Sequence, residues 1–556
     1  MNLSDYIVDF ICKQKTDVAF VMTGSAVARL IDSFRHYSEK IKYVCVNHEQ
    51  AAAMAAEAYS RTTGKIGVAI GTSGPGGTNL ITGIAGAWYD CIPTLYIVGQ
   101  VRSTELKGKL TILQRGFQEI DIVKLVKPIT KYATQITNCN NIRYEMEKAV
   151  HYATQGRPGP VLIDLPMDVQ EANIDLSHLK RFHAKSISFP ESADLFNRSI
   201  SMIRRSIHPL IIAGGGIRHA GAVKEFREFV DKTKIPVVFS FAGLDTLPHN
   251  HPSHIGILGQ YGHAGANQLS QKADLIISLG SRFTKKMVGS NPDRFASKAK
   301  VISVNIDSGE LKDGQKQLDL AVQADVKYFL AQLKDLQYET GEEWNLEATK
   351  AKMKWKKLKG VRRLVNPYEF IDHLSECMSD KSIIIPDVGQ NVVTTVQSIR
   401  LKENQRIFSS WANSPMGYSL PASMGAKLGN PDKEVICIIG DGGIQVNLQE
   451  LQTISSNSIG VKIFLLNNNG YVTIQEFQDK KLGGRYVASD LKHGYSHPNF
   501  KKLCSAFNIP YHLINTQKDF YKINETLKTN GPILCEVSIE DNFRPILPDP
   551  MPDTEA

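Results

Sequence analysis

The stretch EVICIIGDGGIQVNLQELQTISSNSIGVKIFLLNNNGYVTIQ, residues 434–475, decides the fold. Its β-branched, apolar run at 435–439 predicts a strand buried on both faces, stopped abruptly by Gly440-Asp441-Gly442-Gly443. An amphipathic helix at about 448–454 then returns the chain to a second apolar strand, 461–466, which ends in Asn467-Asn468-Asn469-Gly470. Such a unit lays its two polar ends side by side at the carboxyl edge of a parallel sheet, where open α/β folds bind ligands. Asp441 offers a hard carboxylate, Asn468 an amide oxygen and Gly470 a backbone carbonyl. With no Cys or His among them, this set suits Mg²⁺ completed by phosphate oxygens better than a transition metal. Glycines 440, 442 and 443 let backbone N–H groups approach an anion, and the helix behind points its positive end at it.

Composition bounds the rest. A chain of 556 residues exceeds one core and suggests about three domains. The net charge of +9 is spread along the chain, favouring anionic ligands without implying nucleic acid. Its densest basic run, KMKWKKLKGVRR at 352–363, reads as a solvated linker helix or, less simply, a phosphate patch. Eight cysteines show no CxxC and no histidine clustering, as expected of reduced core residues in a cytoplasmic protein. The first fifteen residues carry acids and no unbroken apolar run, so no signal peptide is expected, and no window approaches a membrane span.

In the first third, a helix at 4–14 capped by Ser4 leads to a strand at 18–22 and a turn at Thr23-Gly24-Ser25. A second strand, 43–47, ends at His48-Glu49, and the following AAAMAAEAYSRTTG predicts a helix packed closely on its neighbours. Taken alone, Glu49 reads as an acid at a helix N-terminus, favoured by the dipole. The loop GTSGPGG at 71–77 follows a strand and opens a helix, but it lacks the Gly-Lys-Ser/Thr ending of a phosphate loop.

Together, the GDG at 440–442, a gap of 24 residues (443 to 466) and the NN that follows resemble the diphosphate–Mg²⁺ motif of thiamine diphosphate enzymes. The segment VNHEQAAAMAAEAYSRTTGKIGVAIGTSGPGGTNLITGIAGA resembles the pyrimidine-binding domain of the same family, with Glu49 at the place of its glutamate. The resemblance implies that Glu49 shares a proton with a pyrimidine ring nitrogen, making the exocyclic amine an imine that deprotonates the thiazolium carbon. Gly116-Phe117-Gln118-Glu119 and GRPGPVLIDLPMDVQ at 156–170 look like acetolactate synthases, whose Phe and Gln reach the active site, so Phe117 and Gln118 inherit those roles. The paired histidines of simple pyruvate decarboxylases are absent from 101–118. Asp387-Val388-Gly389-Gln390 resembles the DVGQ segment that holds the diphosphate, with Asn391 in place of histidine, and Tyr471 follows the NN as a further cofactor contact. Met416 stands where the family places the apolar wedge that bends the cofactor, although ordinary core filling would also suit a Met there.

The middle third repeats the strand-then-turn theme, in HPLIIAGGGIRHAGA, KIPVVFSFAGLDTLP, ADLIISLGSRF and KVISVNIDSGEL. Acetolactate synthases hold FAD in this domain, without net redox chemistry. The segments that resemble that site contain Gly214, Gly215, Gly216, Gly243, Leu244, Gly259 to Gly262, Gly280, Arg282, Asp307, Asp325 and Val326. Asp307 sits where nucleotide binders place a ribose-binding acid, or is a plain strand-end Asp; Arg282 is a flavin-nucleotide ligand or a surface salt bridge.

The expected architecture is therefore α/β, with three doubly wound parallel-sheet domains: pyrimidine-binding (1–180), central Rossmann-like and FAD-type (186–340), and diphosphate-binding (366–556) after a linker at 341–365. The expected activity is a thiamine diphosphate-dependent, Mg²⁺-dependent decarboxylating carboligase that takes pyruvate as donor. The family arrangement implies a homodimer or homotetramer with Glu49 facing another subunit's Asp441. Three departures fall on the acceptor side: the family's Gly-Gly beside the reacting carbon is Gly24-Ser25, which puts Ser25 among the reacting groups. Its acceptor-selecting Trp is Phe477, and its DVGQ histidine is Asn391. Acetyl transfer to a nucleotide-linked keto-sugar is thus an alternative. A catalytically silent cofactor-binding or regulatory homologue is another, against which stands the retention of Glu49, Asp441 and Asn468.

Overall fold

The computed structural model describes residues 1–184, 193–354, 363–541 and 543–548. The chain forms two compact units, one of residues 1–186, 382–391 and 409–541, the other of 187–381, 392–408 and 542–556. Three six-stranded sheets carry the fold, and their strands pair in parallel.

The first sheet contains β1 (Val18–Val21), β2 (Lys42–Cys45), β3 (Gly67–Gly71), β4 (Thr94–Gln100), β5 (Tyr132–Gln135) and β6 (Val161–Pro166), in the order β2-β1-β3-β4-β6-β5. The second contains β7 (Pro209–Ala213), β8 (Val237–Phe239), β9 (His254–Ile257), β10 (Leu275–Leu279), β11 (Lys300–Asn305) and β12 (Leu320–Gln323). Its order, β9-β8-β7-β10-β11-β12, is the dinucleotide-binding one. The last set comprises β13 (Ile383–Pro386), the two-residue β14 (Arg406–Ile407), β15 (Val435–Gly440), β16 (Val461–Asn467), β17 (Tyr511–Ile514) and β18 (Ile533–Ser538). Leaving aside the second strand of each, the first sheet runs β1-β3-β4-β6-β5 and the third β13-β15-β16-β18-β17. The first and last thirds therefore follow one plan.

These two sheets share a core in the first unit, where Phe20, Ala55, Tyr59 and Val98 pack in one cluster with Leu420, Met424, Ile439 and Leu465. The Ala-rich helix Glu49–Thr63 lies at its centre, because small side chains and glycines let backbones touch. A Cβ on Gly67 would sit 1.9 Å from the Ala56 carbonyl oxygen, one on Gly83 2.3 Å from Ala53 Cβ, and one on Gly425 1.9 Å from the Ala55 carbonyl oxygen. Gly425 belongs to the helix Ser419–Gly429, so the first and last thirds meet backbone to backbone.

Several local expectations need correction. The first helix is Leu3–Lys13, and its cap is Asn2, whose Oδ1 accepts from Ser4 N at 3.0 Å; the Ser4 hydroxyl instead donates to the Gln170 carbonyl. The helix expected at 448–454 is Glu450–Ser456, preceded by a short helix Asp441–Ile444. All eight cysteines are free, but only Cys437, Cys504 and Cys535 are buried, and Cys45 is exposed on β2 because that strand lies at the sheet edge. Of the basic run, residues 355–362 fall outside the described residues; Lys352, in the last turn of the helix Glu342–Met353, is half-buried and donates to the His249 and His251 carbonyls. Among the described residues no helix is long and apolar enough to cross a membrane.

Candidate active site

In the third sheet β13 and β15 are neighbours with a crossover on either side, the switch point at which such sheets open a crevice beyond their strand ends. Asp387 follows β13, and Asp441 follows β15. Gly440 is in register with Leu466, so Asn467 and Asn468 emerge beside Asp441. Asp441 is buried, and Tyr495 donates its hydroxyl to Oδ2 at 2.6 Å. Burial pushes the Asp441 carboxyl up to about 6 despite that hydrogen bond.

The other oxygen, Oδ1, faces Asn468. The Asn468 amide donates from Nδ2 to Gln390 Oε1 at 2.7 Å, which leaves its oxygen toward Asp441 Oδ1 and the Gly470 carbonyl. The atom in that position is 3.3 Å from Asp441 Oδ1 and 2.8 Å from the Gly470 oxygen. Three acceptors facing one another repel unless the amide turns to donate, or a cation lies among them. Ligands about 2.1 Å from Mg²⁺ in an octahedron are about 3.0 Å from their neighbours, so the spacing suits a cation as well as it suits the turned amide. Among the described residues no three His, Cys, Asp or Glu side chains cluster as a metal site, leaving an oxygen set of mixed origin as the candidate.

The space a side chain would need at the glycines of this segment is taken by neighbouring side chains. A Cβ on Gly440 would meet Asn391 Nδ2 at 2.7 Å, on Gly442 the Tyr471 ring at 2.3 Å, and on Gly443 Asp387 Oδ2 at 2.2 Å. Asp387 accepts from Gly417 N at 3.0 Å with Oδ2, while its buried Oδ1 has no hydrogen-bond partner among the described residues. Val388 and Gly389 are half-buried beside it, with Gly389 left-handed at φ +74. Met416 is exposed next to Gly417, on a segment whose start is held by Asp90 accepting from Trp411 N (2.8 Å) and Ala412 N (3.1 Å).

In the first sheet the equivalent crevice lies between β1 and β3. Glu49 is the first residue of its helix, buried, and accepts from Asn79 Nδ2 at 2.9 Å. Three expected residues gather round the loop that follows β3. A Cβ on Gly71 would be 3.4 Å from Glu49 Cγ, one on Gly24 2.5 Å from Thr72 Cβ, and one on Gly74 3.0 Å from Gln118 Cβ. Thr72 Oγ1 is buried there without a hydrogen-bond partner among the described residues. Ser25 is exposed; Phe117 is 85% exposed and Phe477, on the helix Val472–Leu482, 57%.

Sequence models of known families match all three sheet regions: the thiamine pyrophosphate enzyme N-terminal TPP binding domain over residues 1–125, the central domain over 196–333, and the C-terminal TPP binding domain over 387–537. The chain is 35% identical over 544 residues to the acetolactate synthase large subunit of Lactococcus lactis subsp. lactis (strain IL1403), covering 96% of this chain and 92% of that protein. The chain belongs to the thiamine pyrophosphate enzymes. Within that family it is also 32% identical over 563 residues to the acetolactate synthase isozyme 1 large subunit of Escherichia coli (strain K12), covering 99% of this chain and 97% of that one. The probable acetolactate synthase large subunit of Methanococcus aeolicus is 31% identical over 568 residues, covering 97% and 92%.

For a thiamine pyrophosphate enzyme, two groups at this site escape sequence reasoning. Tyr495 and His497 come from a loop beyond the helix Val472–Leu482; Tyr495 packs edge-on against Tyr471, and His497 Nε2 pairs with Asn469 Oδ1 at 2.9 Å. No spacing rule connects them to Asp441, 54 residues before Tyr495.

The central unit holds its expected residues differently. A Cβ on Gly214 would be 2.2 Å from the Gly280 carbonyl oxygen, and one on Gly243 2.1 Å from the Ala213 oxygen; Gly215 faces Ala242 and Gly216 faces Gly280. Close backbone approach around the end of β7 thus suffices to require Gly214, Gly216 and Gly243. A Cβ on Gly262 would likewise strike the Ile257 carbonyl, and one on Gly259 the Lys286 carbonyl. Leu244 is buried. Asp307 caps the helix Ser308–Lys312 by accepting from Gly309 N and Glu310 N, and Asp325 caps Val326–Gln332 in the same way. The half-buried Arg282 forms no salt bridge among the described residues.

Proposed function

We propose that this chain is a Mg²⁺-dependent, thiamine diphosphate-dependent carboligase that decarboxylates pyruvate and transfers the remaining two-carbon unit to a second carbonyl compound. The observation that carries the reading is the convergence of the Asp441 and Asn468 side-chain oxygens with the Gly470 carbonyl at spacings suited to Mg²⁺. A cation there would favour the ionised Asp441 that burial opposes. Gln390 Oε1, 2.7 Å from the Asn468 amide, would hold that amide with its oxygen toward a bound cation. The loop 387–391 and glycines 440, 442 and 443 would receive the diphosphate, and Met416 and Tyr471 would border the rings.

When bound, thiamine diphosphate would supply the acidic thiazolium carbon and the electron sink that decarboxylation of a 2-keto acid requires. Glu49 would hold the proton exchanged with the pyrimidine ring, kept from bulk water by its burial and oriented by Asn79. Gln118, Phe117 and Ser25 would meet substrate. The site is read as shared between subunits. Support comes from apolar side chains left outside the chain's own core near these groups: Leu113 is 96% exposed, with Leu110, Ile112 and Phe117 beside it in sequence. A homodimer or homotetramer would cover them, and gel filtration with light scattering reads the state. The three-domain division, with boundaries at 180, 186, 340 and 366, is part of this reading. So is a cytoplasmic location, consistent with eight unpaired cysteines.

FAD in the central domain rests on the dinucleotide-type strand order and on Arg282. A yellow purified protein with flavin absorbance supports it, and a colourless protein that takes up none rejects it. For the acceptor, pyruvate giving acetolactate is the first reading. A bulkier ketone, such as a nucleotide-linked keto-sugar, is the second, favoured by the exposed Ser25 and Phe477 where the family pattern differs. Product analysis with pyruvate alone and with ketone acceptors decides: acetolactate from pyruvate alone supports the first. CO₂ release coupled only to an added acceptor supports the second, and no CO₂ release rejects both.

A further inference from the structure

Glu49 must be placed to within a fraction of an ångström to exchange a proton, yet it projects from the first residue of a helix, where the chain has only just left a strand. What fixes that turn comes from the last third of the chain. Glu450, fully buried, accepts from Asn47 N with Oε1 at 3.0 Å, and Thr453 donates its hydroxyl to Glu450 Oε2 at 2.7 Å. The His48 backbone N–H also bonds the Glu450 carboxylate. The Asn47 amide donates to Thr453 Oγ1 at 3.0 Å and to the Gln449 carbonyl at 3.2 Å. On the far side of Glu49, Gln50 Nε2 donates to Asn447 Oδ1 at 3.3 Å, and Asn447 Nδ2 donates to the carbonyl of Gly417, next to Met416. Both neighbours of Glu49 are therefore tied to a segment that begins four residues after the Gly440 to Gly443 turn.

A buried carboxylate that receives two consecutive backbone N–H groups and a hydroxyl is costly to place for packing alone, since an apolar side chain would fill the space without desolvation. Burial pushes its carboxyl up to about 7, against those hydrogen bonds. We propose that Glu450 is the positioning residue for Glu49, holding the 47–50 turn so that the Glu49 carboxyl meets the cofactor's ring. This role rests on the function proposed above.

The test compares Glu450→Ala and Glu450→Gln holoenzymes, loaded with thiamine diphosphate and Mg²⁺, by the rate of deuterium exchange at the thiazolium C2 and by pyruvate decarboxylation. Glu450→Ala is expected to slow exchange and kcat together by roughly 10- to 100-fold, with KM for pyruvate and Kd for the cofactor within about threefold. Glu450→Gln, whose amide oxygen accepts the same backbone N–H groups, should recover to within about threefold of the unaltered protein. Exchange at the unaltered rate in Glu450→Ala overturns the proposal, and so does a Gln variant as impaired as Ala. If Glu450→Ala does not fold, Thr453→Val, which keeps shape but removes the hydroxyl, is expected to slow exchange roughly threefold or more; no change there overturns it. No cofactor-dependent exchange in the unaltered protein is a different result: it removes the functional reading, and this role falls with it.

Discussion

Asp441 and Asp307 occupy the same kind of place, just past the carboxyl end of a parallel strand and at the start of a short helix, and they do different things. The Asp307 carboxylate turns back on its own helix and satisfies two of its N–H groups. The Asp441 carboxylate is held by Tyr495 on one oxygen and left facing two other acceptors on the second. A capping acid is content with its own backbone; an acid set against other oxygens needs a cation or a proton. The contrast separates a strand-end acid that finishes a helix from one whose second oxygen is left facing other acceptors.

That difference can be broken most sharply in the first unit. Glu49→Gln should retain thiamine diphosphate and lose roughly 10²- to 10⁴-fold in pyruvate decarboxylation; near-normal turnover would remove the proton-handling role. Asp441→Ala should weaken Mg²⁺-dependent thiamine diphosphate binding more than about 100-fold by calorimetry, because it deletes the one ionisable group of the oxygen set. Asp307→Ala, its counterpart, should lower stability by about 1 kcal/mol in urea melts and leave that binding unchanged. A loss of thiamine diphosphate affinity in the Asp307 variant would erase the distinction.

Two smaller effects sharpen it. Gly425→Ala puts a methyl group 1.9 Å from the Ala55 carbonyl oxygen, at backbone rather than at a flexible side-chain tip. It is expected to cost about 1–3 kcal/mol and to lower Tm in calorimetry, and an unchanged Tm would mean that the two helices separate freely. Asp164, buried on β6, accepts from Gln135 Nε2 at 2.7 Å and from Gln100, and burial raises its carboxyl to about 7. Its folded value lies above the unfolded one, so the stabilisation is complete below about pH 4 and is lost as pH rises through about 7. Asp164→Asn should therefore flatten the fall of Tm between those limits; a slope equal to that of the unaltered protein would show that this carboxyl does not titrate there.

Much of the fold is legible because its signals are local. Residues 435–439 and 461–466 are apolar enough to be strands and are stopped by Gly or Asn, so the placement of Asp441 and Asn468 at strand ends follows from period and punctuation. The Ala-rich run after Glu49 likewise announces a close-packed helix. Local pattern does not give the helix cap at Asn2 or the exposure of Cys45, because each depends on a partner or a sheet edge outside the local window. The central glycines are the most ambiguous, since the same residues answer to backbone crossing and to a nucleotide.

By itself the amino-acid sequence determined the alternation of strands and helices, the helix-start position of Glu49, the strand-end positions of Asp441, Asn468 and Asp307, and membership of a cofactor-binding family. Those properties are written in spacing along the chain. Only the tertiary structure decided that the Asn468 amide lies among Asp441, Gly470 and Gln390, that Tyr495 closes on Asp441, and that Glu450 grips the turn before Glu49. Each of those is a contact between segments remote in sequence, set by how the sheets and helices pack, and no periodicity along the chain encodes it.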